Sequence, residues 1–133
     1  GCGFNEYSMP WMGKVAYYGV DVNKDDVEFC NKYMSEYGFQ WGVRWGNLFT
    51  FENFVPSDVC FMFKILDGLE SIERGSTAKL LGKIRSPYVV VSFATKSLGG
   101  KKPITARRKW FEDQVVVLAK KKLGDEVYYL IKR

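Results

Sequence analysis

Gly1, Gly3 and Asp21 carry the first chemical signal in the sequence, through the opening run "GCGFNEYSMPWMGKVAYYGVD". A Gly-x-Gly turn lets a backbone approach a ligand closely, and an acidic residue about twenty positions on, after an apolar strand, can accept hydrogen bonds from a ribose. Such a turn normally has a strand in front of it, and the sequence as it stands places none before Gly1.

Composition removes several other chemistries. There is no histidine, so the commonest zinc ligand and the commonest general base are both missing, and Cys2, Cys30 and Cys60 lie too far apart in sequence for a metal knuckle. Neither a metal site nor a Ser-His-Asp hydrolase is expected. The sparse, odd cysteine count and the absence of a signal-peptide pattern fit a reducing compartment. No apolar run approaches the roughly 18 residues needed to span a bilayer. A cytoplasmic protein with no membrane partner is expected. The net charge of +5 favours an anionic partner. With 133 residues, 47% hydrophobic and 17% aromatic, the chain reads as a single globular domain over 1–133.

The elements that must position the glycine turn and its acid follow an alternating pattern. "KVAYYGV", Lys14 to Val20, predicts a strand ending at Asp21, and Asn23 offers an N-cap followed by Asp25 and Asp26 in the first turn. Val27, Cys30, Met34 and Tyr37 recur at helical spacing until Gly38 closes the helix. "FQWGV" predicts a second strand leading to Asn47-Leu48, and "DVCFMF" a short strand buried on both faces. Two short helices follow, the second capped by Ser76, then the strand "YVVVSF", a helix in "ITARRKWFEDQ" and a terminal hairpin turning at Gly124-Asp125. Lys120 to Lys122 are expected on the loop of that hairpin.

Strands alternating with helices and closed by a hairpin predict an α/β domain with an open sheet, whose ligand segments lie at the carboxyl ends of its strands. Four segments qualify: Gly1 to Asn5, Asp21-Val22, Asn47-Leu48, and Phe63 to Leu66. Tyr17, Tyr18, Tyr128 and Tyr129 fall in strands and are expected in the core. Trp11, Trp41 and Trp45 flank the ligand segments and are candidates for pocket walls, with core packing expected for at least two of them.

The blocks "GCGFN…MPWMG…YYGVDVNKDDVEFCN", "FKILDGLESIERGSTAKLLGKIRSPYVVVSFATKSLGGKK" and "LGDEVYYLI" resemble the catalytic domain of class I S-adenosylmethionine methyltransferases. More narrowly, the chain is similar to the 16S ribosomal RNA guanine-N7 methyltransferases of the aminoglycoside-resistance type. The resemblance begins at the glycine-rich motif and runs over nearly the whole chain. It departs from the family pattern at Ala94, where proline is usual. It implies a Rossmann-like sheet with a terminal antiparallel hairpin, in which the first strand, expected mid-sheet, is missing from the sequence along with the helical amino-terminal domain. Strand exchange with a second chain is one way to supply such a strand.

The resemblance also implies roles. Gly1, Gly3 and Asn5 would line the methionine part of S-adenosylmethionine, Asp21 with Val22 would hold the ribose, and Asn47 and Leu48 would flank the adenine. Phe63, Lys64 and Leu66 would form the floor beside the reactive methyl, and Thr95, Lys96 and Ser97 would present the target nucleotide. Lys101, Lys102, Arg107, Arg108 and Lys109 would contact phosphates of ribosomal RNA or the small ribosomal subunit, although such a run also fits a solvated helix face. Guanine N7 has an exposed lone pair and no proton, so the reaction asks for little acid-base help. The Asn/Asp-Pro-Pro-aromatic motif typical of exocyclic-amine methylation is replaced here by "FKIL", and Cys60 reads as a core residue rather than the nucleophile of carbon-5 methylation. Two alternatives stay open: a degenerate fold that binds RNA without turnover, and a methyltransferase acting on a small molecule or a ribose. The ribose case draws on Lys64, Asp67, Lys96 and Glu126 as a possible cluster.

Overall fold

The alternation of strand and helix holds through the residues that the computed structural model describes, 1–96 and 108–133. They form two units, Gly1–Asn53 and Phe54–Arg133.

In the first unit a 3-10 turn, Asn5–Ser8, runs into a short helix α1, Met9–Met12, before strand β1, Tyr17–Asp21, helix α2, Lys24–Glu36, and strand β2, Trp41–Trp45. The Asn23 side chain accepts the N–H groups of Asp25 (3.1 Å) and Asp26 (3.4 Å), while those two acids face the positive end of the α2 dipole. Val27, Cys30 and Met34 are buried as the periodicity predicts, whereas Tyr37 caps the helix in an exposed position. β1 and β2 pair in parallel, with Gly19 opposite Val43 and Asp21 opposite Trp45.

On the other side of β2, the Asn31 amide of α2 serves both backbone groups of one residue. Its Oδ1 accepts the Val43 N–H at 2.7 Å and its Nδ2 donates to the Val43 carbonyl at 2.8 Å. A Cβ at the neighbouring Gly42 would lie 2.5 Å from Asn31 Oδ1, so a glycine is required for this close approach.

The second unit contains β3, Val59–Phe63; α3, Leu66–Ile72; α4, Ser76–Lys83; β4, Tyr88–Ala94; α5, Lys109–Glu112; β5, Val116–Leu123; and β6, Glu126–Lys132. Its sheet has the order β3-β4-β6-β5, with β3 and β4 parallel and the remaining pairs antiparallel. Val89, Val91, Phe93, Phe111, Tyr129 and Ile131 supply its core, and Phe93 meets Phe111 and Tyr129 edge-on at 5.2 and 5.8 Å.

Three local expectations are corrected. β3 buries Met62 but leaves Val59 and Phe61 about two-fifths exposed (39% and 40%), because alternate strand residues point to opposite faces and only one face is covered within this unit. Ser76 is the first residue of α4 rather than its cap; the free N–H groups there are taken by Glu70 of α3, whose carboxylate accepts from Gly75 (2.9 Å) and Thr77 (2.8 Å). Lys120 to Lys122 lie within β5, and the hairpin turns at Gly124, with a φ of +56°, and Asp125.

Candidate functional site

The glycine turn and the acid are in direct contact. Gly3 N–H donates to Asp21 Oδ2 at 2.8 Å, and Asn23 N–H donates to Asp21 Oδ1 at 3.0 Å. The turn is anchored to the strand below it, since Cys2 N–H and the Gly1 nitrogen both donate to the Val20 carbonyl, at 3.1 and 2.8 Å. Gly3 has a φ of +54°, the left-handed region that favours glycine, and a Cβ there would meet no atom within 4 Å. Open space therefore lies beside the turn.

The Asp21 side chain is only 10% exposed, yet it stays charged. Burial alone would raise its carboxyl pKa, but the two backbone N–H groups of Asn23 and Gly3 outweigh it and hold the carboxyl below its ordinary value. Each oxygen accepts one of these N–H bonds and keeps capacity for another, as an acceptor of two ribose hydroxyls must. The residues present therefore fit a ribose-bearing cofactor.

Other predicted residues gather along the same ends of β1 and β2. Val22, 63% exposed, accepts the Trp45 indole N–H at 2.9 Å, and Gly46 N–H extends the pairing to the Asp21 carbonyl at 2.8 Å. Asn47 spends its Oδ1 on the Phe49 N–H (3.0 Å) and its carbonyl on the Phe51 N–H (2.8 Å), with Leu48 half-buried in the same turn. Asn5 opens the 3-10 turn and accepts the Ser8 hydroxyl at 2.6 Å. Trp11, Trp41 and Trp45 are 83%, 61% and 64% exposed, which corrects the expectation that at least two would be core.

One participant carries no sequence signal. Glu6, on the 3-10 turn, is fully buried and accepts from the Cys30 thiol at 3.4 Å, beneath the glycine turn. Its burial depends on α2 and β1 folding over it, which local composition does not reveal.

In the second unit Phe63 ends β3, and Lys64 follows with a φ of +55°. The Lys64 ammonium lies 3.1 Å from Glu126 Oε1, and the Ser92 hydroxyl donates to Glu126 Oε2 at 2.8 Å. Leu66 is fully buried, so it supports this strand end from within the core. Thr95 N–H donates to the Asp125 carbonyl at 2.8 Å, and Lys96 pairs with the Asp125 carboxylate at 2.8 Å. Lys64, Asp67, Lys96 and Glu126 do not pair among themselves as two Lys–acid couples: Lys64 meets Glu126, while Lys96 takes Asp125 and Asp67 takes Arg108.

The basic run divides. Arg108, expected to face phosphate, is 8% exposed, pairs with Asp67 Oδ2 at 2.7 Å and lies over the Phe93 ring at 5.1 Å. It is committed to the interior of its unit by that carboxylate and that ring. Lys109 is exposed at the start of α5, while Ser97, Lys101, Lys102 and Arg107 lie outside the described residues. Burial pushes the Cys60 thiol up to about 11, which leaves little thiolate for nucleophilic attack at neutral pH.

Comparison with known proteins decides the family. Residues 1–122 match the ribosomal RNA methyltransferase (FmrO) family. The chain belongs to that family. It is 29% identical over 139 residues to the 16S rRNA (guanine(1405)-N(7))-methyltransferase of Micromonospora rosea, covering 98% of this chain and 51% of that protein. The enzyme of the same name from Serratia marcescens is 28% identical over 138 residues, with 99% and 55% covered. The crystal structure of the 16S rRNA methyltransferase RmtF in complex with S-adenosyl-L-homocysteine superimposes with a TM-score of 0.85 at 29% identity, covering 99% of this chain and 53% of that one. The chain spans about half the length of the curated relatives it matches. The fold is the class I S-adenosylmethionine methyltransferase type, with parallel pairs β1–β2 and β3–β4 and the antiparallel hairpin β5–β6 that the sequence predicts.

Proposed function

We propose that this FmrO-family protein is an S-adenosylmethionine-dependent methyltransferase of the cytoplasm that acts on N7 of a guanine in small-subunit ribosomal RNA. The observation that carries the reading is the charged, nearly buried Asp21 carboxylate, bridged to the open glycine turn through Gly3. The cofactor, when bound, supplies an electrophilic methyl on a sulfonium centre.

The residues of the first unit would bind and orient. Asp21 accepts the ribose hydroxyls, a pairing worth about 1.5–3 kcal/mol because the acceptor is charged. Gly1, Gly3 and Asn5 give the methionine moiety backbone contact without side-chain obstruction. Asn47, whose side-chain oxygen is already used locally, offers its amide N–H₂ toward an adenine ring nitrogen. From the resemblance, Phe63, Lys64 and Leu66 of the second unit would serve the reacting methyl, and Thr95, Lys96 and Ser97 would present the target base.

No general base is required, because guanine N7 attacks through a lone pair that bears no proton. Orientation and electrostatic setting can then supply most of the acceleration. A chain with no histidine suits that requirement.

The test is calorimetric titration of S-adenosylmethionine and S-adenosylhomocysteine into the wild-type protein and Asp21→Ala. Saturable binding, weakened more than about tenfold by the substitution, followed by methyl transfer to small ribosomal subunits, is the expected result. A folded protein that gives no heat with either ligand would sink the reading and leave RNA binding without turnover.

A further inference from the structure

Lys64 holds a backbone conformation that its own chemistry disfavours. Its φ of +55° is left-handed, a region that costs free energy for any residue with a Cβ and that glycine enters freely. Ile65, the N-cap residue of α3, makes no side-chain cap hydrogen bond. The restraint comes from two other strands. Lys64 N–H donates to the Ser92 carbonyl of β4 at 3.0 Å, its ammonium meets Glu126 Oε1 of β6 at 3.1 Å, and the fully buried Ser92 donates its hydroxyl to Glu126 Oε2 at 2.8 Å.

Glu126 is therefore committed through one oxygen to Lys64 itself and through the other to Ser92, the residue that also holds the Lys64 N–H. Burial would raise its carboxyl, but hydrogen bonds from Ser92, Lys64 and Tyr128 outweigh this and keep it ionised at neutral pH. Beside this brace, Phe63 meets Tyr128 edge-on at 5.8 Å. The brace sits at the carboxyl end of the parallel pair β3–β4, where ligands bind in open α/β sheets. Strain kept at such a position by over-determining neighbours is a mark of a functional site.

We propose that Glu126 is a positioning residue for methyl transfer, acting through Lys64 to hold the end of β3 in the left-handed turn that sets Phe63 and the Lys64 backbone against the target guanine. The proposal rests on the methyltransferase reading above. Glu126 acts through its contacts with Lys64 and Ser92, and its effect is on the geometry of the strand end.

The test uses Glu126→Gln in the full-length protein, which keeps an acceptor for Ser92 and removes the charge that holds Lys64. The expected result is a fall of roughly tenfold or more in kcat, with KM for S-adenosylmethionine within about twofold of wild type. Adding Lys64→Gly to Glu126→Gln should recover most of that loss, because glycine takes the turn without the brace. Ser92→Ala, a small change that keeps the core filled, should give a weaker loss of the same kind. An unchanged kcat in Glu126→Gln, or a double variant that stays as slow as the single one, would overturn the proposal. Amide exchange at Lys64 separates this outcome from failure of the methyltransferase reading: faster exchange in Glu126→Gln is expected even if the wild-type protein transfers no methyl, and unchanged exchange there would also overturn the proposal.

Discussion

A carboxylate that stays ionised while nearly buried makes Asp21 a pH-dependent contributor to stability. Its folded pKa lies below the unfolded value, so its contribution is fully present above the unfolded pKa of about 3.9 and is lost as pH falls through the folded value. The stability difference between wild type and Asp21→Asn should thus be flat near neutrality and shrink below about pH 4. Urea unfolding of both proteins across that range checks this; a difference constant down to pH 3 would contradict it. The contact of Asp21 with the glycine turn was legible because a glycine turn and an acid at a fixed spacing form a local pattern. Arg108 was not, since its partner Asp67 lies 41 residues away and the run "RRK" looks alike whether it faces water or core. Arg108→Ala should lower unfolding free energy by about 1–3 kcal/mol, discounted because Asp67 is 43% exposed, while exposed Lys109→Ala stays within about 0.5. Equal small effects in chemical denaturation would place Arg108 on a solvated face after all.

Helices and strands were readable where one element carried its own signal, as in α2 with its Asn23 cap, its first-turn acids and its terminal Gly38. They were misread where a neighbour supplied what the element lacked. Ser76 matched a cap by residue type, but Glu70 of α3 reaches the N–H groups of Gly75 and Thr77 first. Glu70→Ala should therefore cost about 1 kcal/mol of stability and Ser76→Ala should show no loss of a cap. The Glu70 carboxyl, which burial would raise, is held below its ordinary value by those backbone donors, so its contribution fades as pH falls below about 4.3. Thermal unfolding of Glu70→Gln at pH 7 and pH 3 measures that, with a smaller mutant effect expected at pH 3. Burial of β3 on both faces was the wrong inference from an apolar run, because a run records apolar residues and not which face is covered.

At the scale of the molecule, the sequence disclosed the α/β class, the parallel pairs and the hairpin, because alternation of strand and helix survives without tertiary knowledge. The β5 strand shows what composition alone could not locate. All eight of its residues are exposed, it ends the sheet, and Lys120 to Lys122 occupy its ladder, where charge deters pairing with another chain. Replacing Lys121 and Lys122 by valine should raise light scattering at equal protein concentration, and an unchanged signal would remove that role from the lysines. The Asn31 amide does the same task differently for β2. Donor and acceptor sit one peptide unit apart, so a slip of α2 along the strand by a single residue would strand both, and only one alignment satisfies them. The two partners are just 12 residues apart in the chain, which makes this lock available early in synthesis, before Phe54–Arg133 has emerged. A nascent first unit would already have Val43, at the centre of that edge, occupied through both its N–H and its carbonyl.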